Sequence, residues 1–344
     1  MPGTSTNFLV CPFPFVCDLY GGCSHGCKYC YANAMKRGKE RAEFSQKIER
    51  ADTLKSVERF VSGEKSKRDS WCDWNPPLRF GIRSDPFQPA ERSEGLMLAA
   101  MKMLAKRGYP FIIVTKGTDV LSSPEYLAVL KDCNCVVNVS MSSPAMDALE
   151  PGAPPYERRL AAVEALAKVV PRVVARWQPF LMEHTGKAIA EIPRLKSAGA
   201  HAVLVEPIFG SKFKIGSLMV KVRQKYLYPV DVVERSWTSI RAAAHANGLV
   251  FVTPSIRKLS DSLLCCTGGE MPGFVPNTCN ATFYYAAPEK YKPTERMKQV
   301  GTGDVFNLIR TGRNKFKRLG SYSFAQLMTH RSKTQFSREE ILDR

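Results

Sequence analysis

The chain has 344 residues, 44% hydrophobic and 24% charged, a soluble globular composition that excludes a disordered tail or a collagen-like protein. Fifty Lys and Arg stand against 32 Asp and Glu, a formal net charge of +18 that suits polyanionic partners. No run of about 18 apolar residues predicts a membrane-spanning helix, and no basic-then-apolar leader opens the sequence, so the expected compartment is the cytoplasm.

In chain order, the first informative stretch runs from Cys17 to Ala32. It holds Gly21, Gly22 and Gly26 and three thiols at Cys23, Cys27 and Cys30. Residues 38–78 are highly charged and predict a helical insertion, followed by an irregular segment with Trp71, Cys72 and Trp74. From residue 79 short apolar runs alternate with amphipathic ones. The expected strands are Arg79–Arg83, Phe111–Lys116, Cys135–Met141, Arg172–Gln178, Ala202–Pro207 and Val250–Thr253. Being apolar on both parities, they read as strands buried on both faces of a parallel sheet. Between them, Glu91–Arg107, Pro124–Lys131, Tyr156–Val169, Ala188–Ser197 and Asp231–Asn247 read as helices. Repeated β-then-α units predict an α/β fold, a partial or full parallel (β/α) barrel, with a doubly wound sheet as the alternative. The expected division is a barrel domain over 1–255 and a basic extension over 256–344. Residues 288–344 carry 13 Lys and Arg against 6 Asp and Glu, a net of +7.

Eleven cysteines, an odd number, in a reducing compartment point to metal, cluster or redox chemistry. The Cys23-x3-Cys27-x2-Cys30 spacing lets a tight turn gather three thiolates, ligands that suit an iron–sulfur cluster or zinc. Three local ligands leave one iron of a [4Fe–4S] cluster open for chemistry. Structural zinc, with Cys17 or His25 as a fourth ligand, is the alternative, although no second ligand pair follows at the usual distance.

With Tyr29 directly before the last thiol, this run resembles the radical S-adenosylmethionine (radical SAM) superfamily. Its flanks, Gly22 to Ala32, resemble the branch related to spore photoproduct lyase. So do Ser84-Asp85-Pro86-Phe87-Gln88-Pro89-Ala90-Glu91, Val114-Thr115-Lys116-Gly117 and Leu149-Glu150-Pro151-Gly152-Ala153-Pro154. The resemblance implies a [4Fe–4S] cluster on Cys23, Cys27 and Cys30, and S-adenosylmethionine chelated to its open iron. It further implies reductive cleavage to a 5′-deoxyadenosyl radical that abstracts hydrogen from substrate, and an electron donor such as flavodoxin or ferredoxin. Spore photoproduct lyases carry a cysteine three residues before the Asp of their Ser-Asp motif. Ile82 stands there in this chain, so thymine-dimer reversal itself is not expected.

The resemblance places Tyr29 near the adenine, with Tyr31 flanking the same thiol, and brings Lys116 to the cofactor carboxylate. Ser84, Asp85, Ser140, Ser142, Arg176, Gln178 and Glu206 follow or end expected strands, where a barrel builds its site, and are candidate cofactor ligands. Arg176, in an apolar strand, calls for an anionic partner. Cys265, Cys266 and Cys279 are candidate thiol donors or auxiliary ligands. Cys11, Cys17, Cys133 and Cys135 read as packing.

The charge and the branch resemblance point to a nucleic-acid base or sugar as substrate, for repair or modification. Arg310, Arg313, Lys315, Phe316, Lys317 and Arg318 form a candidate phosphate-and-stacking segment. The alternatives are a radical enzyme acting on a peptide, protein or small molecule, and a non-enzymatic, metal-containing nucleic-acid-binding protein.

Overall fold

Side chains that alternate between two buried faces build one sheet. The computed structural model describes residues 3–4, 11–13, 15–51, 54–62, 77–208, 214–222, 225–274 and 276. The sheet consists of β1 (Gly3–Thr4), β2 (Phe15–Cys17), β3 (Leu78–Phe80), β4 (Phe111–Thr115), β5 (Cys135–Ser140), β6 (Arg172–Phe180), β7 (Ala202–Pro207) and β8 (Val250–Val252), in that spatial order. β1 lies antiparallel to β2, and the other seven strands are parallel. Every step is a move to the next strand, and helices make the crossovers. Crossovers of one hand in monotonic order curl such a sheet into a barrel wall. Among the described residues β8 does not pair with β1 or β2, so the barrel is partial.

The six expected strands are present, with ends shifted by a few residues at most. One face of each packs under the helices. Phe111, Ile113, Val137, Val139, Val173, Trp177, Val203 and Val205 belong to that core. The alternate residues Ile112, Val114, Val136, Val174, Ala202, Leu204 and Val252 line the inner face. The helix Val230–Ala246 buries Trp237 against Phe180, which stacks on Trp177. Burying a side chain of that size is worth roughly 1.5–3 kcal/mol or more.

The fold departs from the sequence expectations at several places, two of which shape the sheet and its cover. The expected helix Glu91–Arg107 is two helices, Glu91–Glu94 and Leu96–Lys106, because Gly95 between them is left-handed (φ +59°). The strand Phe15–Cys17 was unexpected; it pairs Val16 with Arg79 and Cys17 with Phe80. The charged insertion holds the helices Gly38–Glu43 and Leu54–Ser62, and the second buries Val57 and Phe60 in the core. Trp71, Cys72 and Trp74 lie outside the described residues. After β8 the chain turns back, and the one-turn helix Cys265–Thr267 packs on the inner face of the sheet.

Candidate active site

The three thiols sit on a turn whose shape glycine dictates. Gly22 has φ +92°, and a Cβ there would lie 2.6 Å from the Lys47 carbonyl oxygen and 2.8 Å from that of Phe44. The close approach lets Cys23 N–H donate to Phe44 O at 3.0 Å. Cys30 N–H donates to Cys27 O, and the Cys30 sulfur caps the helix Tyr31–Ala34 by accepting from Asn33 N–H at 3.5 Å.

A second segment, 149–152, straps the turn down. Lys28 N–H donates to Leu149 O, and Gly152 N–H donates to His25 O, both at 2.9 Å. A Cβ on Gly152 would stand 2.5 Å from Ser24 O, so only glycine allows this approach. The His25 ring lies between two acceptors. Nδ1 is 2.9 Å from Gly152 O, and Nε2 is 3.2 Å from Asp85 Oδ2. Asp85 also accepts from Thr115 Oγ1 at 2.6 Å, Lys116 N–H at 2.6 Å and Phe87 N–H at 2.9 Å. Burial alone would raise the Asp85 carboxyl, but His25 and these donors outweigh it and hold it down at about 2. Gln88 completes the support, accepting from Ser24 N–H at 2.9 Å and donating to Gly22 O at 3.3 Å.

Glu150 organises the cationic side. Its carboxylate accepts from Tyr29 Oη and lies 2.6 Å from Arg159 Nη1 and 3.8 Å from Lys116 Nζ. Lys116 Nζ also stands 5.7 Å from the centre of the Tyr29 ring. Burial disfavours the Lys116 ammonium, but Glu150, with Cys27 and Asp85, outweighs it and raises its pKa. Arg159, fully buried, donates to Ser140 O and Pro154 O and pairs with Asp147. On the next strand Arg176, opposite Ser140 in register, donates through Nη2 to Gln178 Oε1 and lies 3.5 Å from Glu206 Oε2.

The fold therefore gathers Tyr29, Asp85, Lys116, Ser140, Arg176, Gln178 and Glu206 at the carboxyl ends of adjacent parallel strands, beside the thiol turn. Ser142 lies just past β5 and is buried. Ser84 is held by protein partners: its Oγ donates to Tyr20 O, and its N–H donates to Asp18. Tyr31 lies at the rim, 55% exposed, with its hydroxyl donating to Ile82 O. Arg176 has its anionic partner, a protein carboxylate. Cys265 and Cys266 lie apart from the turn, deep on the inner face. Cys17, Cys133 and Cys135 are buried. Cys279 and the segment with Arg310, Arg313, Lys315, Phe316, Lys317 and Arg318 lie outside the described residues.

Sequence reasoning gave no role to His25 beyond zinc, nor to Glu150 and Arg159. Arg159 left one legible signal: it lies on the apolar stripe of its helix with Leu160, Val163 and Leu166.

Residues 18–177 match the Radical SAM superfamily. This stretch is a radical SAM domain. Radical SAM domains use a [4Fe–4S] cluster with S-adenosylmethionine, and the thiol turn fits that pair. Cys23, Cys27 and Cys30 are free of disulfides and half-buried. Burial pushes the Cys23 thiol up to about 12 and raises that of Cys27. A metal ion reverses such a shift, because the thiolate is the liganding form. An uncharacterized protein of Mycobacterium tuberculosis (strain H37Rv) is 29% identical over 167 residues, covering 46% of this chain and 47% of that protein. The chain thus matches about half the length of this curated relative. Two solved structures resemble it at low identity. Streptococcus suis SuiB bound to S-adenosylmethionine is 12% identical with a TM-score of 0.45, covering 69% of this chain and 49% of SuiB. Methylornithine synthase is 13% identical with a TM-score of 0.39, covering 70% of this chain and 71% of the synthase.

Proposed function

We propose that this chain is a radical SAM enzyme whose substrate is a nucleic-acid base or sugar, in a branch related to spore photoproduct lyase. One observation carries the enzyme reading: three half-buried thiols on a strapped turn, beside a wall of ionic strand-end side chains. Cys23, Cys27 and Cys30 would hold a [4Fe–4S] cluster, which would supply the reducing electron for S-adenosylmethionine cleavage and hydrogen abstraction from substrate.

The protein's part is placement. Tyr29 offers a ring for the adenine and is fixed by Glu150. Lys116 and Arg176 present cations to the cofactor carboxylate, and Glu206 and Gln178 present acceptors to its ribose. Ser140, Ser142, Ser84 and Asp85 shape the same wall. Walls buried this deeply exclude water from a reactive radical. An electron donor such as flavodoxin or ferredoxin serves the cluster. Among the described residues no helix is long and apolar enough to cross a membrane.

The net charge of +18 and the basic run from Arg310 to Arg318 support a nucleic-acid substrate. Residues 256–344 would dock it. The test is anaerobic: cluster reconstitution, then 5′-deoxyadenosine release screened across DNA, RNA, tRNA and metabolite pools. Release that nucleic acid stimulates, with binding that weakens steeply with salt, is the expected result. Release indifferent to nucleic acid would transfer the reading to a peptide or small-molecule substrate. A zinc protein that releases none would end the enzyme reading.

A further inference from the structure

Arg79 is a buried charge with no carboxylate partner among the described residues. It lies on β3, faces the barrel interior, and is 7% exposed. A guanidinium keeps its proton in proteins, so its burial demands a nearby anion. Among the described residues no Asp or Glu pairs with it. The groups around it are thiols: Cys11, Cys265 and Cys266, and the Cys266 Sγ lies 3.5 Å from Arg79 Nη1. Its Nε has no hydrogen-bond partner.

Cys266 faces a second guanidinium as well. Its Sγ is 3.8 Å from Arg176 Nη1 on β6. The thiol is 1% exposed and cannot move freely. Asn138 on β5 donates through Nδ2 to Cys266 O at 2.8 Å, and Arg172 donates to Thr267 O at 3.1 Å. Gly268 is left-handed, and a Cβ there would meet the Ala202 Cβ at 2.7 Å, so glycine lets the segment seat itself against the sheet. Two buried cations beside one sulfur favour its anionic form.

The neighbouring titratable groups agree. The adjacent Cys266 and burial push the Cys265 thiol up. Cys265, Arg79 and Arg176 together outweigh burial and hold Cys266 well below the ordinary thiol range. Cys11 adds a thiol near Arg79 and Cys265. Glu206 from β7 reaches Arg176 on its other nitrogen, Nη2.

We propose that Cys266 is a thiolate counter-ion on the barrel floor, shared by Arg79 and Arg176, and the positioning residue that aims Arg176 at the bound cofactor. One guanidinium nitrogen of Arg176 is anchored on the sulfur, and the other stands at the strand-end wall with Gln178 and Glu206. A thiolate has no S–H hydrogen to give, so this role replaces that of hydrogen donor at Cys266. The aiming half rests on Arg176 as a cofactor ligand; the counter-ion half does not.

The test uses the cluster-loaded full chain with cysteine 13C-labelled at Cβ. In the wild type one resonance, absent from Cys266→Ser, should sit at the thiolate position between about pH 6 and 8, where an ordinary thiol of pKa ~8.5 is protonated. That measurement needs only an assignment, and Cys266→Asp provides it if the serine variant fails to fold. A Cys266 resonance at the thiol position overturns the counter-ion. S-adenosylmethionine binding is then measured by equilibrium dialysis. Cys266→Ser should weaken it roughly ten-fold or more, as truncating a buried charge pair does, and Cys266→Asp should recover most of the loss. A purely packing role predicts the reverse order, because serine is the closer isostere, and that order overturns the positioning role. A wild type that binds no S-adenosylmethionine overturns Arg176 as a cofactor ligand and leaves the counter-ion to the resonance.

Discussion

Two of the regions that hold thiols, the turn and the floor, treat a buried thiol in opposite ways. At the turn, burial raises Cys23 and Cys27, and the nearby charges are mixed: Asp85 acts on Cys23, and Lys116 and Glu150 oppose each other at Cys27. On the floor, Cys266 sits between two guanidinia and is drawn down. Burial pushes the Cys23 and Cys27 thiols up, whereas the floor thiol has its cations built in. The same functional group is thus prepared for a ligand in one place and for a protein ion pair in the other. What separates them is the pair of guanidinia that the fold brings within about 4 Å of the Cys266 sulfur, where Coulomb energy is large in a poorly solvated interior.

The strongest challenge to this contrast is to remove a turn thiol. Cys23→Ser, Cys27→Ser or Cys30→Ser should reduce bound iron and 5′-deoxyadenosine release to background, read by metal analysis and by chromatography of the products. Cys266→Ser should keep its iron. If it lost iron to the same extent, the two regions would be one.

The strap is the next target. Gly152→Ala forces a methyl to within 2.5 Å of the Ser24 carbonyl oxygen. Overpacking of this kind costs about 1–3 kcal/mol, so thermal unfolding should shift down and cluster retention should suffer with it. Unchanged retention would show that the strap supports the fold and not the turn.

Asp85 gives a smaller, pH-dependent effect. Its folded pKa, about 2, lies below the ordinary value of ~3.9. The group therefore contributes stability that is complete above the ordinary value and disappears as pH falls toward 2, on the order of 2 kcal/mol. Asp85→Asn should flatten the acid limb of a stability–pH curve and leave no extra loss below pH ~4. An acid limb as steep as that of the wild type would assign the acid sensitivity elsewhere.

The least effect is expected at the rim. Tyr31→Phe removes one half-exposed hydroxyl bond to Ile82 O. Chemical denaturation should register about 1 kcal/mol or less. A larger loss would move Tyr31 from the rim into the site.

Much of this was legible before the fold was known, for a local reason. A strand buried on both faces must be apolar at consecutive positions, so Phe111–Thr115, Cys135–Ser140 and Ala202–Pro207 announce themselves. The thiol turn is legible too, because its ligands lie within eight residues. What was hidden is long-range. Gly152 and Ser24 are far apart in sequence, and nothing local marks Leu149–Gly152 as a strap. The strand Phe15–Cys17 is three residues long and takes its identity from pairing with Leu78–Phe80. Arg79 could be placed on a strand, but that no described Asp or Glu pairs with it shows only in the fold. The adjacent pair Cys265-Cys266 looked symmetrical in sequence; two arginines from distant strands make it unequal.

The monotonic strand order also has a consequence in time. A chain made from its N-terminus produces the cysteine turn first, its strap by residue 152, and the floor only after residue 266. The metal-binding turn and everything that holds it are synthesised more than a hundred residues before the piece that seals the chamber beneath. A ribosome-bound intermediate would therefore present a finished cradle with an open underside, and cluster insertion could precede completion of the enzyme.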